Sequence, residues 1–142
     1  AAEAGLVLVH VMAPRSKQFS GTDLLQVFRR HQLVYGKKCI FHAYDQAGKI
    51  AFSVASAVEP GIFDLEHMQD FMTPGLGFFM DLNSVSDPRE VFNHMLGIAK
   101  EISAALGGDI LDEHYQRLSH TSMADYLSRL RVVEKIPEAE GV

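Results

Sequence analysis

The fold is decided by residues Phe52–Leu82, which read FSVASAVEPGIFDLEHMQDFMTPGLGFFMDL. At both ends of this stretch apolar side chains recur at every second position, and this alternation predicts two β-strands. One face of the two strands is predicted to be large and apolar and comprises Phe52, Val54, Val58, Leu76, Phe78, Met80 and Leu82. The opposite face carries small residues and one aromatic, Phe79, where a solvated sheet would carry polar side chains.

Turn sequences punctuate the link between these two strands. Pro60-Gly61 follows the first strand, and Thr73-Pro74-Gly75 immediately precedes the second. Because proline and glycine favour turns, both strands are predicted to stop sharply at the link.

The N-terminal part of the chain predicts a strand, a helix and a hairpin. Leu6–Met12 is rich in β-branched and aliphatic residues and predicts strand one, and Ser20 is a favourable N-cap for the first helix. Cys39–Tyr44 predicts strand two. The turn residues Asp45–Gly48 lead into strand three, so strands two and three are predicted to form a hairpin.

The C-terminal part predicts two helices around a short strand. The sequence Asp-Pro-Arg-Glu that begins at Asp87 favours a helix start, and Gly107-Gly108 favours its end. The buried stripe of this helix is predicted to be Val91, Met95, Ile98, Ile102 and Ala105. A strand is predicted at Asp109–Asp112, with Gln116–Leu118 a candidate for another, and Thr121 is predicted to cap the last helix.

These elements amount to about six strands and three helices in a chain of 142 residues, which is the length of one domain. They predict an α+β fold with a mostly antiparallel six-stranded sheet, three helices on one face and an open, partly apolar opposite face. Residues 1–136 are predicted to form this domain, and residues 137–142 a frayed tail.

Composition argues against several classes of function. The net charge of −5, with lysines and arginines scattered, argues against a nucleic-acid partner. A single cysteine excludes an intramolecular disulfide, and no apolar run approaches the ~20 residues that span a bilayer. Residues 1–5 lack the character of a signal peptide.

Residue types that often act as metal ligands, nucleophiles or acids are present, but without the spacing that a metal site or a catalytic site needs. The seven histidines include no H-x-x-H or H-E-x-x-H pair, so neither a metal site nor a cofactor is predicted. Cys39 has no identifiable base and is interpreted as a buried thiol. The acidic residues Asp109, Asp112 and Glu113 are interpreted as a solvated strand end. No catalytic residue is predicted.

Strand parity predicts an apolar depression on the side of the sheet that the helices leave open. This face gathers Leu6, Leu8, His10, Ala55, Ala57, Gly77 and Phe79. An exposed apolar patch rimmed by charge is typical of a partner-binding surface. Two alternatives remain: loops or the C-terminal tail cover the face, or a β-bulge breaks the parity.

The motif Pro60-Gly61-Ile62-Phe63-Asp64 is followed by Thr73-Pro74-Gly75, and this order and spacing are quite specific. They resemble the family of C-terminal domains of the bacterial cell-division protein ZipA. Further matches are Ser20-Gly21, Tyr35-Gly36, Ile40-Phe41-His42, Phe52-Ser53, Phe79, Gly107-Gly108 and Leu111-Asp112. The resemblance extends from Leu6 to Arg131, nearly the whole chain.

The resemblance implies a split β-α-β fold whose exposed sheet face receives the C-terminal tail peptide of the tubulin-like protein FtsZ in a shallow hydrophobic groove. The groove positions that it implies are Leu6, Leu8, Lys38, Phe41, Ala55, Ala57, Glu59, Gly77 and Phe79. Lys38 and Phe41 have opposite parity, so either strand two is irregular or one of the two residues lies elsewhere.

By the same resemblance, the domain is expected to tether and stabilise the Z ring at the cytoplasmic face of the inner membrane during septation. We expect a monomer without a cofactor, attached to the membrane only through an N-terminal anchor that this chain does not contain. Three positions depart from the family pattern. Lys38 and Ala57 stand where the family commonly has methionine, and Glu59 stands where it often has lysine.

The alternative interpretation is an α+β enzyme or a small-ligand regulatory domain. Such a protein needs a deep pocket with convergent polar groups, whereas a peptide-binding module needs a flat apolar groove. Since the sequence provides no recognisable catalytic constellation, we interpret the chain as a binding module and not as an enzyme.

Overall fold

Eight strands form one large antiparallel sheet and one small ribbon. The computed structural model describes the backbone of residues 5–141 and the side chains of residues 5–130. In chain order the strands are β1 (Leu6–Met12), β2 (Phe19–Ser20), β3 (Val34–Tyr35), β4 (Phe41–Tyr44), β5 (Ile50–Ser56), β6 (Met72–Thr73), β7 (Gly75–Asp81) and β8 (Asp109–Leu111). Six of them form a sheet of order β3-β4-β5-β7-β1-β8, and β2 pairs with β6.

Three α-helices accompany the sheet, and the capping signals place their ends. They are α1 (Gly21–Arg30), α2 (Pro88–Leu106) and α3 (His120–Gly141). The Ser20 hydroxyl accepts a hydrogen bond from the amide of Asp23, and the Asp87 carboxylate accepts one from the amide of Glu90, both at 3.2 Å. Gly107 ends α2 in the left-handed conformation, with φ of 73°, as the Gly-Gly signal predicts.

The predicted cap of the last helix is wrong. The hydroxyl of Ser119, not of Thr121, accepts from the amide of Ser122 at 3.1 Å, and the Ser122 hydroxyl accepts from the amide of Ser119 at 2.7 Å. This reciprocal pair places the cap of α3 two residues earlier, at Ser119. The proposed tail at 137–142 falls among residues whose side chains are not described, so the domain boundary at 136 stays a prediction.

Helix α2 packs on one face of the sheet, α1 meets the same face through the contact of Phe28 with Phe41, and α3 packs against α2. The arrangement confirms the α+β prediction. The sheet residues beneath the helices are 0–1% exposed and comprise Val7, Val9, Val11, Phe52, Val54, Leu76, Phe78 and Met80. Helix α2 lies directly on this face and buries Phe92, Met95 and Ile102. Tyr126 of α3 packs against Phe92 with 5.2 Å between ring centroids.

Two boundary predictions are wrong because the strands cover fewer residues than the alternating sequence pattern does. Strand β5 ends at Ser56, so Val58 lies in the following turn and is 47% exposed instead of facing the core. Strand β4 begins at Phe41, because residues Lys37–Cys39 form a 3-10 turn. Beyond each of these strand ends, the alternation of residues no longer indicates on which face of the sheet a side chain lies.

The predicted stripe of α2 is partly displaced, and one candidate strand is reduced to a bridge. Val91 is half-buried and Ala105 is exposed, while the helix also buries Phe92, Leu96 and Ala99. Contact with both the sheet and α3 widens the buried surface beyond a single stripe. In the Gln116–Leu118 stretch, Arg117 makes only a single bridge to Leu111.

Candidate functional site

The face of the sheet opposite the helices carries a row of half-exposed apolar side chains over small residues. The register aligns Leu8, Phe79 and Ser53 in one row across β1, β7 and β5, and His10, Gly77 and Ala55 in the next. The half-buried residues on this face are Leu6, Leu8, Ala55, Ala57 and Phe79. We call this surface the open face.

Gly77 forms the lowest part of the open face. A Cβ atom placed there would lie 3.8 Å from Cδ2 of His10 and 3.9 Å from Cδ1 of Leu8, which are ordinary van der Waals distances. The fold therefore does not require glycine at this position. What glycine provides is a depression between Ala55 and Leu8 that a side chain would fill.

One side of the open face is walled by the turn that follows β8. The ring of Tyr115 stacks on the ring of His10, with centroids 3.9 Å apart and an interplanar angle of 18°. Nδ1 of His10 lies 2.9 Å from the carbonyl oxygen of Asp112 in the same turn. His10 is consequently only 4% exposed, although it lies on the open face.

The other side is walled by the turn that precedes β4. His42, which is 3% exposed, lies 2.7 Å through Nδ1 from the hydroxyl of Ser53 and 2.8 Å through Nε2 from the carbonyl oxygen of Lys37. Lys38 follows with φ of 63° and an exposed side chain. A buried histidine thus fastens each flanking turn to the sheet, and β5, β7 and the first half of β1 remain uncovered between them.

The β5–β6 link is fastened beside the second wall. The amide of Phe63 donates to the carbonyl of Cys39 at 2.9 Å, and the Tyr35 hydroxyl donates to the carbonyl of Phe63 at 2.7 Å. A hydrogen bond with Cys39, together with burial, raises the pKa of Tyr35 to about 12. At the surface of the link, a hydrogen bond from His67 lowers the pKa of Asp64. These contacts hold the chain around Glu59 and Lys38 at one end of the open face.

The edge of β1 that β8 leaves unpaired is covered by helix α3. The Tyr126 hydroxyl donates to the carbonyl of Leu8 at 2.7 Å and accepts from the amide of Glu113 at 3.1 Å. Arg129 donates to the carbonyl of Leu6 at 3.3 Å and to the Glu113 carboxylate at 2.9 Å. Burial raises the pKa of Tyr126 above its usual range. One helix therefore holds both the strand that carries Leu6 and Leu8 and the turn that carries Tyr115.

Comparison with protein-family models matches residues 5–129 to the family described as ZipA, C-terminal FtsZ-binding domain. The chain belongs to this family. Curated relatives named Cell division protein ZipA include those of Aliivibrio fischeri strain ES114, 35% identical over 130 residues, and Shewanella frigidimarina, 37% identical over 128 residues. The ZipA of Colwellia psychrerythraea is 32% identical over 136 residues.

These alignments cover most of this chain and a minor part of each relative. They include 89%, 88% and 94% of the chain, in the order given above, but only 39%, 36% and 36% of the relatives. The chain thus spans less than two fifths of the length of these ZipA proteins.

The open face brings together most of the groove positions that the ZipA resemblance implies. Leu6, Leu8, Ala55, Gly77 and Phe79 lie on β1, β5 and β7. Ala57 continues this side past the end of β5, where its amide donates to the carbonyl of Gly75 at 2.9 Å. Lys38 and Glu59 are exposed in turns and not on strands.

Phe41 does not lie on the open face, and its predicted place in the groove is corrected. It is 4% exposed and packs on the helix side, with its ring centroid 4.6 Å from that of Phe28 and 5.3 Å from that of Phe63. The conflict of parity with Lys38 has a simple cause. Lys38 and Cys39 both have positive φ, so the turn breaks the alternation before β4 begins.

The other reactive or ionisable side chains of this ZipA-family domain that the sequence singled out lie apart from the open face or stabilise turns. Cys39 is exposed, so its interpretation as a buried thiol is wrong. Asp112 is 7% exposed and holds a turn, so it is not a solvated strand end. A depression of about 380 Å³ lies between this turn and α3, lined in part by Glu113, Ser122 and Asp125.

The described part of the chain contains neither a cluster of metal-binding side chains nor a membrane-spanning helix. Three or more His, Cys, Asp or Glu side chains do not come together there as a metal ion would need. Among the same residues, no helix combines the length and apolar character needed to cross a membrane.

Sequence reasoning did not identify the two walls. Parity placed His10 on the open face, but nothing in its neighbourhood along the chain signalled that Tyr115 covers it. His42 and Ser53 lie opposite each other in the β4–β5 hairpin, so their pairing was within reach of a register argument.

Proposed function

We propose that this domain binds the C-terminal tail peptide of FtsZ on the open face. The observation that carries the proposal is the group of half-buried apolar side chains Leu6, Leu8 and Phe79. They lie beside the low floor at Gly77 and Ala55, between two turns fastened to the sheet. Monomeric domains seldom leave contiguous apolar surface open unless a partner covers it. The description of the family as FtsZ-binding supports the identity of that partner.

A short peptide suits this surface better than a folded partner or a small molecule. The open face is shallow, and its uncovered strip is about as wide as strands β5, β7 and β1. A peptide in such a groove buries less than about 1,200 Å² in total, which is the range of transient complexes. We expect a Kd on the order of micromolar, equivalent to about −8 kcal/mol.

In the cell, the domain serves by this proposal as a monomeric, non-enzymatic module. It tethers and stabilises the FtsZ ring at the cytoplasmic face of the inner membrane during septation. The names of the curated relatives support a role in cell division.

Titration of the domain with a synthetic peptide of the cognate FtsZ C-terminus tests the proposal. Isothermal titration calorimetry should give one site with micromolar Kd and a negative heat-capacity change, the marker of apolar burial. A peptide of the same composition in scrambled order is the control. If the cognate peptide fails to bind at millimolar concentration, the proposed partner is wrong.

A matched pair of glycine variants locates the site. Gly77→Leu places a side chain on the floor of the open face, where the backbone has room for a Cβ. Gly97→Leu adds the same side chain on α2, where a Cβ would meet nothing within 4 Å. We expect Gly77→Leu to abolish detectable peptide binding and Gly97→Leu to retain it, with both proteins folded by circular dichroism. Equal binding by the two variants would move the site away from the open face.

A further inference from the structure

The turn between β8 and α3 is built in a way that presents one aromatic ring to the open face. Asp112 organises this turn: its carboxylate accepts from the amides of His114 and Gln116 at 2.8 and 3.0 Å, and its carbonyl accepts from the amide of Tyr115 at 3.0 Å. The amide of Asp112 also donates to the carbonyl of Gln116 at 2.7 Å. The turn is therefore closed on itself and rigid.

Tyr115 occupies an unfavourable backbone conformation at the tip of this turn. Its φ is 62°, in the left-handed region that non-glycine residues rarely adopt. Glycine or asparagine would adopt the same turn with less strain. Backbone strain of this kind is concentrated at functional sites, where the surrounding structure enforces it.

Covering His10 does not account for the whole Tyr115 side chain. One face of the ring lies on His10, yet Tyr115 as a residue stays 53% exposed. The stack stands beside Gly77, because His10 pairs with Gly77 across β1 and β7. An exposed aromatic surface therefore borders the floor of the groove at a position fixed by the sheet.

We propose that Tyr115 is a binding residue of the open face, and that it packs with its exposed ring surface against an apolar or planar side chain of the bound peptide. This inference rests on the proposed function, since it extends the same site. A tyrosine held by a rigid turn has little conformational entropy left to lose on binding, so contact with its ring contributes affinity efficiently. The peptide side chain that meets it would be proline, an aromatic or a branched aliphatic residue.

Substitution of Tyr115 should weaken binding of the FtsZ tail peptide without removing it. Aromatic contacts contribute amounts that correspond to about threefold to tenfold in Kd, and we expect a loss in this range for Tyr115→Ala. Tyr115→Phe keeps the ring and should restore most of that loss. The matched control is Leu65→Ala, which truncates a side chain of similar exposure, 47%, on the 3-10 helix that packs against α1.

A direct contact distinguishes binding from a structural role. In the wild-type complex, nuclear Overhauser effects should connect protons of the peptide to the ring of Tyr115, and this measurement decides the matter if Tyr115→Ala fails to fold. If wild-type protein does not bind the peptide, the proposed function fails and this inference fails with it. If wild-type protein binds, but Tyr115→Ala stays within twofold and the ring shows no contact, the role of Tyr115 alone is overturned.

Discussion

Phe78 and Phe79 are neighbours on β7, yet they belong to two different surfaces. Phe78 is fully buried beneath the helices, where its register partners are Val9 and Val54. Phe79 points to the open face, where its partners are Leu8 and Ser53, and it is half-buried. The same side chain thus appears on both faces of one strand, with different amounts of its surface removed from water.

The comparison separates residues that stabilise the fold from residues that remain available. Full burial of a phenylalanine contributes about 1.5–3 kcal/mol from the area removed from water, and Phe78 obtains all of it on folding. Phe79 obtains only a part. The part of the Phe79 side chain that is still in water can be buried when a partner covers the open face. Its burial can therefore contribute to binding, whereas the burial of Phe78 contributes only to folding.

The largest effect is expected for Phe78→Ala. Removal of a fully buried phenylalanine leaves a cavity among the sheet and α2 side chains, and should lower the free energy of unfolding by about 3–5 kcal/mol. Urea denaturation followed by circular dichroism measures it. A loss below about 1 kcal/mol would mean that the helix face tolerates a cavity and that the contrast between the two faces is not one of burial.

Phe79→Ala should show the reverse pattern. As the large aromatic at the centre of the open face, Phe79 is expected to contribute about 2 kcal/mol or more to peptide binding, measured by calorimetric titration. Its effect on the free energy of unfolding should be well below that of Phe78→Ala, since the residue is already partly in water. Unchanged peptide binding would remove Phe79 from the site.

Tyr126→Phe tests how much helix α3 stabilises β1, the strand that carries Leu8. The variant deletes the hydroxyl that donates to the Leu8 carbonyl at 2.7 Å and accepts from Glu113. Loss of these two hydrogen bonds should lower the free energy of unfolding by about 1–3 kcal/mol. An unchanged midpoint of denaturation would show that water replaces the hydroxyl at the edge of β1.

The same tyrosine predicts how stability depends on alkaline pH. Burial raises the pKa of Tyr126 in the folded protein, so the unfolded chain loses this proton first as pH rises. The free energy of unfolding should therefore decline above about pH 10, the pKa of a tyrosine in an unfolded chain. Tyr126→Phe should make the decline shallower. Part of it should remain, because the pKa of Tyr35 is also raised, to about 12.

The regular elements could be predicted from the sequence because their causes are local. Alternation along Leu6–Met12 and Gly75–Asp81 determines which side chains share a face, whatever the rest of the chain does. The caps at Ser20 and Asp87 bond to amides three residues away. Each of these signals is contained within one stretch of sequence.

The wall that carries Tyr115 could not be predicted because the residues that form it are distant along the chain. His10 meets the turn at Asp112 across 102 positions of sequence, and nothing near either residue indicates the contact. Phe41 was misplaced for a different reason. The family resemblance, and not strand parity, assigned it to the groove, whereas the register pairs it with Val54 on the helix face.

The smallest effect is expected at the charged rim of the open face. Lys38 and Glu59 are exposed, and each can meet an opposite charge on a peptide that mixes acidic and basic residues. Exposed pairs of this kind contribute at most about fivefold to affinity and are screened by salt. Glu59→Gln and Lys38→Met should each change the Kd of the tail peptide by no more than this.

Titration of the wild-type domain at increasing salt tests the same point without a substitution. If apolar burial on Leu6, Leu8 and Phe79 carries the affinity, a rise to ~0.5 M salt removes only the rim contribution, because screening acts on charges and leaves apolar contacts intact. The Kd should then rise by less than about tenfold, which corresponds to 1.4 kcal/mol. A hundredfold rise would place the affinity in the charges, and the open face would differ from the helix face in its electrostatics and not in its unburied apolar surface.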